Sequence, residues 1–87
     1  MTKKNTVTQD KIDEIFKKSK VSEFISFGKC LIVSCQLPNG FIIVENSACV
    51  DVANFDKVMG RDICTDRIKN KIWELEGYKL QCELSTQ

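Results

Sequence analysis

Between residues 30 and 46 two apolar runs flank Pro38-Asn39-Gly40, and this arrangement restricts the fold of the 87-residue chain more than any other stretch. Leu31, Val33, Cys35 and Leu37 alternate with Cys30, Ile32, Ser34 and Gln36, the two-residue period of a strand whose faces differ. Proline, asparagine and glycine then break the run. Asn-Gly readily adopts the positive φ angles of a tight turn, so residues 41–46 are expected to return antiparallel to the first run.

The flanking segments supply the other elements. Thr8 is placed to cap a helix over residues 9–20, with Asp10 in its first turn and Ile12, Ile15 and Phe16 on one side. Residues 21–27, aromatic and β-branched and followed by Gly28, read as an edge strand. After the hairpin, Asp51 can cap a helix carrying Val52, Phe55 and Met59, and Gly60 is expected to interrupt it. Cys64, Ile68, Ile72 and Leu75 form a second apolar set, begun by Asp62 or Thr65 and out of phase with the first, as a bend or a second helix would give. Gly77 reads as a helix stop, and Tyr78, Leu80, Cys82 and Leu84 alternate with polar residues as a last strand would. The expected fold class is α+β, one domain over residues 1–87: a small antiparallel sheet of three to four strands, with an N-terminal helix and a C-terminal helical segment packed on one face. Residues 1–5 and 85–87 are expected to be flexible.

Thirteen basic and twelve acidic side chains leave a net charge of +1, so no overall field gathers nucleic acid or an anionic membrane. No apolar run approaches the roughly 20 residues that cross a bilayer. Five cysteines lack close pairs and there is no histidine, which argues against a metal site and for buried, reduced thiols.

Without histidine the commonest general base is missing, and no cofactor is implied. Asp51, Asp56, Asp62 and Asp66 could in principle hold a magnesium ion, but Lys57, Arg61, Arg67 and Lys69 alternate with them, the pattern of a solvated helix with weak ion pairs. The chain is therefore expected not to be an enzyme. Its two arginines, Arg61 and Arg67, together with Lys57 and Lys71, form the candidate binding site for a phosphate or an acidic partner. Arg61 would also stand near a helix start after Gly60, where free N–H groups favour anions. Trp73 is expected to anchor the core, and Gly77 and Tyr78 to end the helix and re-enter the sheet.

Asn39-Gly40-Phe41, Ser47-Ala48-Cys49-Val50-Asp51, Asn54-Phe55-Asp56, Gly60-Arg61 and Lys71-Ile72-Trp73-Glu74-Leu75-Glu76-Gly77-Tyr78 stand in one order over about two thirds of the chain. In these residues the chain resembles a family of small tailed-phage proteins known by gene products 49 and 66 of two enterobacterial phages. It departs from the family at Glu45-Asn46, where a glycine is common, and at Ile63-Cys64-Thr65, where an alanine and an aromatic residue are usual. The resemblance implies phage origin and a non-virion role, and carries no catalytic residues. The functional expectation is an accessory binding protein acting in host takeover or counter-defence, inhibiting or redirecting a host bacterial protein in the cytoplasm of the infected cell. The alternative is an oligomeric sponge that encloses a nucleotide second messenger between Lys57, Arg61 and Arg67 of adjacent subunits.

Overall fold

The computed structural model describes residues 6–85. Three strands, β1 (Lys20–Ser26), β2 (Cys30–Gln36) and β3 (Ile42–Ala48), form an antiparallel meander in the order β1-β2-β3. Helix α1 (Gln9–Lys17) precedes them and the 29-residue helix α2 (Lys57–Ser85) follows. The architecture is the expected α+β one, with both helices on one face of the sheet.

That face is the one the alternation marks. Leu31, Val33 and Cys35 of β2 are buried, as is Ile43 of β3, and Ile12 of α1 with Cys64, Ile68 and Ile72 of α2 closes over them. The four-residue spacing from Gly60 to Ile72 keeps one stripe of α2 on the sheet. Cys30, Ile32 and Ser34 line the other, uncovered face.

The Pro38-Asn39-Gly40 hairpin forms, with a different turn from the one Asn-Gly suggests. Only Gly40 has positive φ, at 95°. The Gly40 N–H donates to the Leu37 carbonyl at 2.8 Å and the Leu37 N–H to the Phe41 carbonyl at 2.8 Å, a three-residue loop ending in a left-handed glycine. Asn39 contributes through its side chain, whose Oδ1 accepts the Phe41 N–H at 3.0 Å. Strand β3 begins one residue later than expected and runs on to Ala48.

Thr8 caps α1 as expected, its side chain accepting the Lys11 N–H at 3.2 Å. The helix stops at Lys17 rather than Lys20: the Ser19 N–H turns to the Phe16 carbonyl at 3.0 Å, its hydroxyl donates to the Ile15 carbonyl at 2.7 Å, and the chain enters β1 at Lys20.

The C-terminal half departs from expectation. Asp51 caps only a single 3-10 turn, Val52–Asn54, and Asp56 starts the long helix, its carboxylate accepting the N–H groups of Val58 and Met59 at 3.0 and 3.1 Å. Neither Asp62 nor Thr65 begins a helix. Gly60 neither bends nor breaks α2: it is buried where the helix crosses the sheet at close range, and a Cβ there would lie 3.5 Å from Leu31 Cδ2 and 3.7 Å from Ser47 Cβ. Glycine at this point reports a close approach rather than a boundary.

Gly77 does not stop the helix and the expected last strand does not exist, since α2 continues through Tyr78, Leu80, Cys82 and Leu84 to Ser85. A mid-helix glycine costs only about 1 kcal/mol relative to alanine, too little to end a helix anchored by its preceding four turns. Trp73, Glu76, Leu80 and Leu84 are the half-buried residues here, at helical rather than strand spacing. A Cβ at Gly77 meets nothing within 4 Å. Gly77→Ala should therefore stabilise the protein by about 1 kcal/mol, raising its melting temperature by roughly 4–8 °C; a fall instead would show that residues 78–85 are not helical. The expected flexibility of residues 1–5, 86 and 87 lies outside the described residues, while Ser85 is the last residue of α2.

Candidate functional site

All four candidate binding cations lie on α2, where each faces a partner within the chain. Arg61 sets its guanidinium fork on Glu23 of β1, Nε donating to Oε2 at 3.0 Å and Nη2 to Oε1. Lys57, one turn earlier, stands 3.6 Å from the same carboxylate. Arg67 donates from Nη1 to the Asn46 carbonyl of β3 at 2.8 Å, and Lys71 pairs with Glu45 of β3 at 2.9 Å. The helix thus brings Lys57 and Arg61 together over one outer strand and Arg67 and Lys71 over the other, and the two pairs do not meet at one point. Arg61 is the fifth residue of α2, past the cap at Asp56.

Glu23, Val33 and Glu45 stand opposite one another across the three strands, so the two acceptor carboxylates flank the apolar centre of the covered face. Both are mostly shielded, their side chains 23% and 14% exposed. The Arg61 hydrogen bonds, with a smaller contribution from Lys57, hold Glu23 below the ordinary carboxylate value of 4.5. A carboxyl whose pKa falls on folding adds stability above its unfolded value and loses it as pH drops through the folded one. Glu23→Gln should therefore melt below the parent protein at neutral pH, with the gap closing on acidification below 4.5. A gap that is the same at neutral and acid pH would show that charge pairing is not its source.

The other singled-out residues have structural partners. Asp51 and Asp56 accept backbone N–H groups as caps. Among the described residues no three acidic or cysteine side chains cluster as a metal would need. Cys35 and Cys64 are buried, and that burial pushes both thiols up. Cys30 and Cys49 are half-buried, and Cys82 is exposed on α2 because the strand that would have buried it is absent. Trp73 packs against the core as expected, whereas Tyr78 is exposed on α2 instead of sealing a sheet edge. Lys69, read in the sequence only as one charge of a solvated helix, joins the two helices: it pairs with Asp13 at 3.2 Å and lies 5.3 Å from the centre of the Phe16 ring.

Sequence reasoning also missed the turn between β1 and β2. Phe27 takes the left-handed conformation there, φ 55°, followed by Gly28 at φ 70°, and the Lys29 N–H closes on the Ser26 carbonyl at 3.3 Å. Such a φ costs a bulky residue roughly 1–2 kcal/mol. The ring recovers none of this by burial, since Phe27 is 91% exposed. Val50, 94% exposed, is tied to the same end by its carbonyl, which accepts the Lys29 Nζ at 3.0 Å. Val52 adjoins Gly28, and Val58 and Met59 follow on the first turn of α2, all three mostly exposed. One end of the molecule is thus an apolar tip. Its sequence signal was an aromatic residue directly before the glycine that separates two strands.

Residues 7–84 match the phage protein (N4 Gp49/phage Sf6 gene 66) family. The chain belongs to this family. The match runs from the start of α1 almost to the end of α2, so the whole described fold is the family's domain. Of the residues that carry the family likeness, Asn39-Gly40-Phe41 forms the β2–β3 turn, Ser47 to Asp51 leads from β3 into the apolar tip, and Lys71 to Tyr78 lies in α2. The departure at Ile63-Cys64-Thr65 puts a buried cysteine on the sheet-facing stripe of α2. No curated protein and no solved structure matches the chain. Among the described residues no helix is long and apolar enough to cross a membrane.

Proposed function

We propose that this member of the phage family is an accessory binding protein rather than an enzyme, acting in host takeover or counter-defence by docking its apolar tip on a host bacterial protein in the infected cell's cytoplasm. The observation that carries this reading is Phe27. A bulky side chain held at positive φ and presented to solvent lowers the stability of its own fold, so its contribution lies in a contact outside the chain. Exposed aromatic residues are frequent centres of binding energy in protein interfaces, and Val50, Val52 and Met59 are exposed apolar residues of the same end.

The test is Phe27→Asn, because asparagine tolerates the left-handed region and the turn survives the change. The variant should melt no lower than the parent. In affinity capture from phage-infected cells the parent should recover a host protein that Phe27→Asn loses, and equal recovery by both would refute the docking role of the tip. The nucleotide-sponge alternative draws less support, since Lys57, Arg61, Arg67 and Lys71 each face a group of their own chain. A rise in melting temperature with cyclic or ADP-ribose-type nucleotides would restore it.

A further inference from the structure

The two edges of the sheet are finished differently. The hydrogen bonds Leu37 N–H to Phe41 and Cys49 N–H to Lys29, at 2.8 and 3.0 Å, fix the parity of the β2–β3 ladder, so odd-numbered residues of β3 bond to β2. The backbone groups of Ile42, Val44, Asn46 and Ala48 therefore point outward along the free edge of β3. On β1 the outward groups are those of Val21, Glu23 and Ile25, and the cluster of Glu23, Lys57 and Arg61 guards them with charge. On β3 the charged cover is the Lys71–Glu45 pair together with Arg67, which holds the Asn46 carbonyl. At the turn the Gly40 N–H is already bonded to Leu37. Between these two points Ile42 and Val44 leave their edge groups open, beside a groove that Phe41, Leu75 and Tyr78 make apolar and Lys71 and Glu74 make charged.

The geometry points to a second copy of this chain as the occupant, its β3 pairing antiparallel with this β3 about a two-fold axis at Ile43 and joining two three-stranded sheets into one. Only this register matches the open groups. It sets Ile42 opposite Val44 of the second copy, and Val44 opposite its Ile42, as hydrogen-bonded pairs. Sliding by two residues one way sets Ile42 against Asn46, occupied by Arg67, and the other way sets Val44 against Gly40, occupied by the turn. The paired side chains are β-branched and half-exposed in the single chain. A two-fold axis normal to the sheet keeps both helix layers on the same side, so Leu75 and Tyr78 of the two copies approach across it. The groove carries one charge of each sign, Glu74 and Lys71, the latter paired with Glu45 of its own chain. Full cover of the exposed parts of Phe41, Ile42, Val44, Leu75 and Tyr78 would bury roughly 500 Å² per copy, about 1,000 Å² in all, the size at which specific interfaces begin.

The contact lies at the opposite end of β2 from Phe27, so its failure and the failure of the apolar tip are separable. Light scattering on the purified full-length protein at micromolar concentration should give twice the 9.9 kDa chain mass. Val44→Lys should halve that mass with an unchanged circular dichroism spectrum, and Phe27→Asn should leave it doubled. Register is read by oxidising a mixture of Ile42→Cys and Val44→Cys chains, both also carrying Cys82→Ser. Facing residues of a bonded pair, about 5.5 Å apart at Cα, can close an intermolecular disulfide, whereas like residues of the two copies lie more than about 7 Å apart. The mixture should cross-link and neither variant alone should. A monomeric parent protein, or cross-linking by either single variant as efficient as in the mixture, overturns the pairing. If Val44→Lys fails to fold, the parent mass and the cysteine experiment decide.

Discussion

Ile68→Ala is expected to remove about 3 kcal/mol of folding free energy, lowering the melting temperature by roughly 12–24 °C. Ile68 is fully buried at the middle of the stripe that seats α2 on the sheet, in one cluster with Ile12, Val33 and Cys35. Truncation there loses the transfer free energy of the missing carbons and leaves a cavity that the neighbouring helix and sheet residues must collapse to fill. Val58→Ala, on the same helix but mostly exposed, should change stability by less than about 0.5 kcal/mol. Urea denaturation of the two variants side by side is the check. Equal, small losses would mean that α2 does not sit on the sheet along this stripe.

The second large effect is expected at Gly60, with opposite signs for two substitutions. A Cβ at this position falls at ordinary van der Waals distance from Leu31 and Ser47. Gly60→Ala should thus be accommodated and gain up to about 1 kcal/mol from helix propensity. Gly60→Leu has no such space beyond the Cβ, because the Leu31 and Ser47 side chains already stand at contact distance from it; overpacking of this kind costs about 1–3 kcal/mol and here would lift the first turns of α2 from the sheet. Both variants destabilising by similar amounts would contradict the close crossing. Both stabilising would place the helix further from the sheet than described.

These two positions also show where sequence reasoning succeeds and where it stops. The alternation of Leu31, Val33 and Cys35 identified the covered face of the sheet correctly, because strand parity is a local property that no distant contact can change. Thr8 was equally legible, since a cap acts on the three residues after it. Gly60 and Gly77 were misread as punctuation because their intrinsic cost is small against the packing of a long helix, and packing is not visible in a residue's neighbours. The alternation from Tyr78 to Leu84 fits two periods at once, and the strand reading prevailed only because Gly77 seemed to license it.

The candidate cations were legible as a group on one segment. Their partners were not: Glu23, Glu45 and the Asn46 carbonyl lie on strands that reach α2 only through the fold. Phe27 illustrates the reverse case. As a residue type it reads as one more apolar strand position, and only the turn geometry reveals that it faces water at positive φ. A hydrophobic residue becomes informative when the fold declines to use it.

Each strand of the meander pairs with its immediate successor or predecessor in the chain, and this ordering governs how quickly the native topology is reached. Both hairpins close over short loops, so the sheet can nucleate without first bringing distant segments together, and refolding should fall toward the rapid end of the range for mixed domains. The contacts of α2, among them Arg61 with Glu23 and Lys69 with Asp13 and Phe16, join segments distant in the chain and must await the seating of that helix. The ties of the first helix to α2 thus form only once that long helix lies on the sheet.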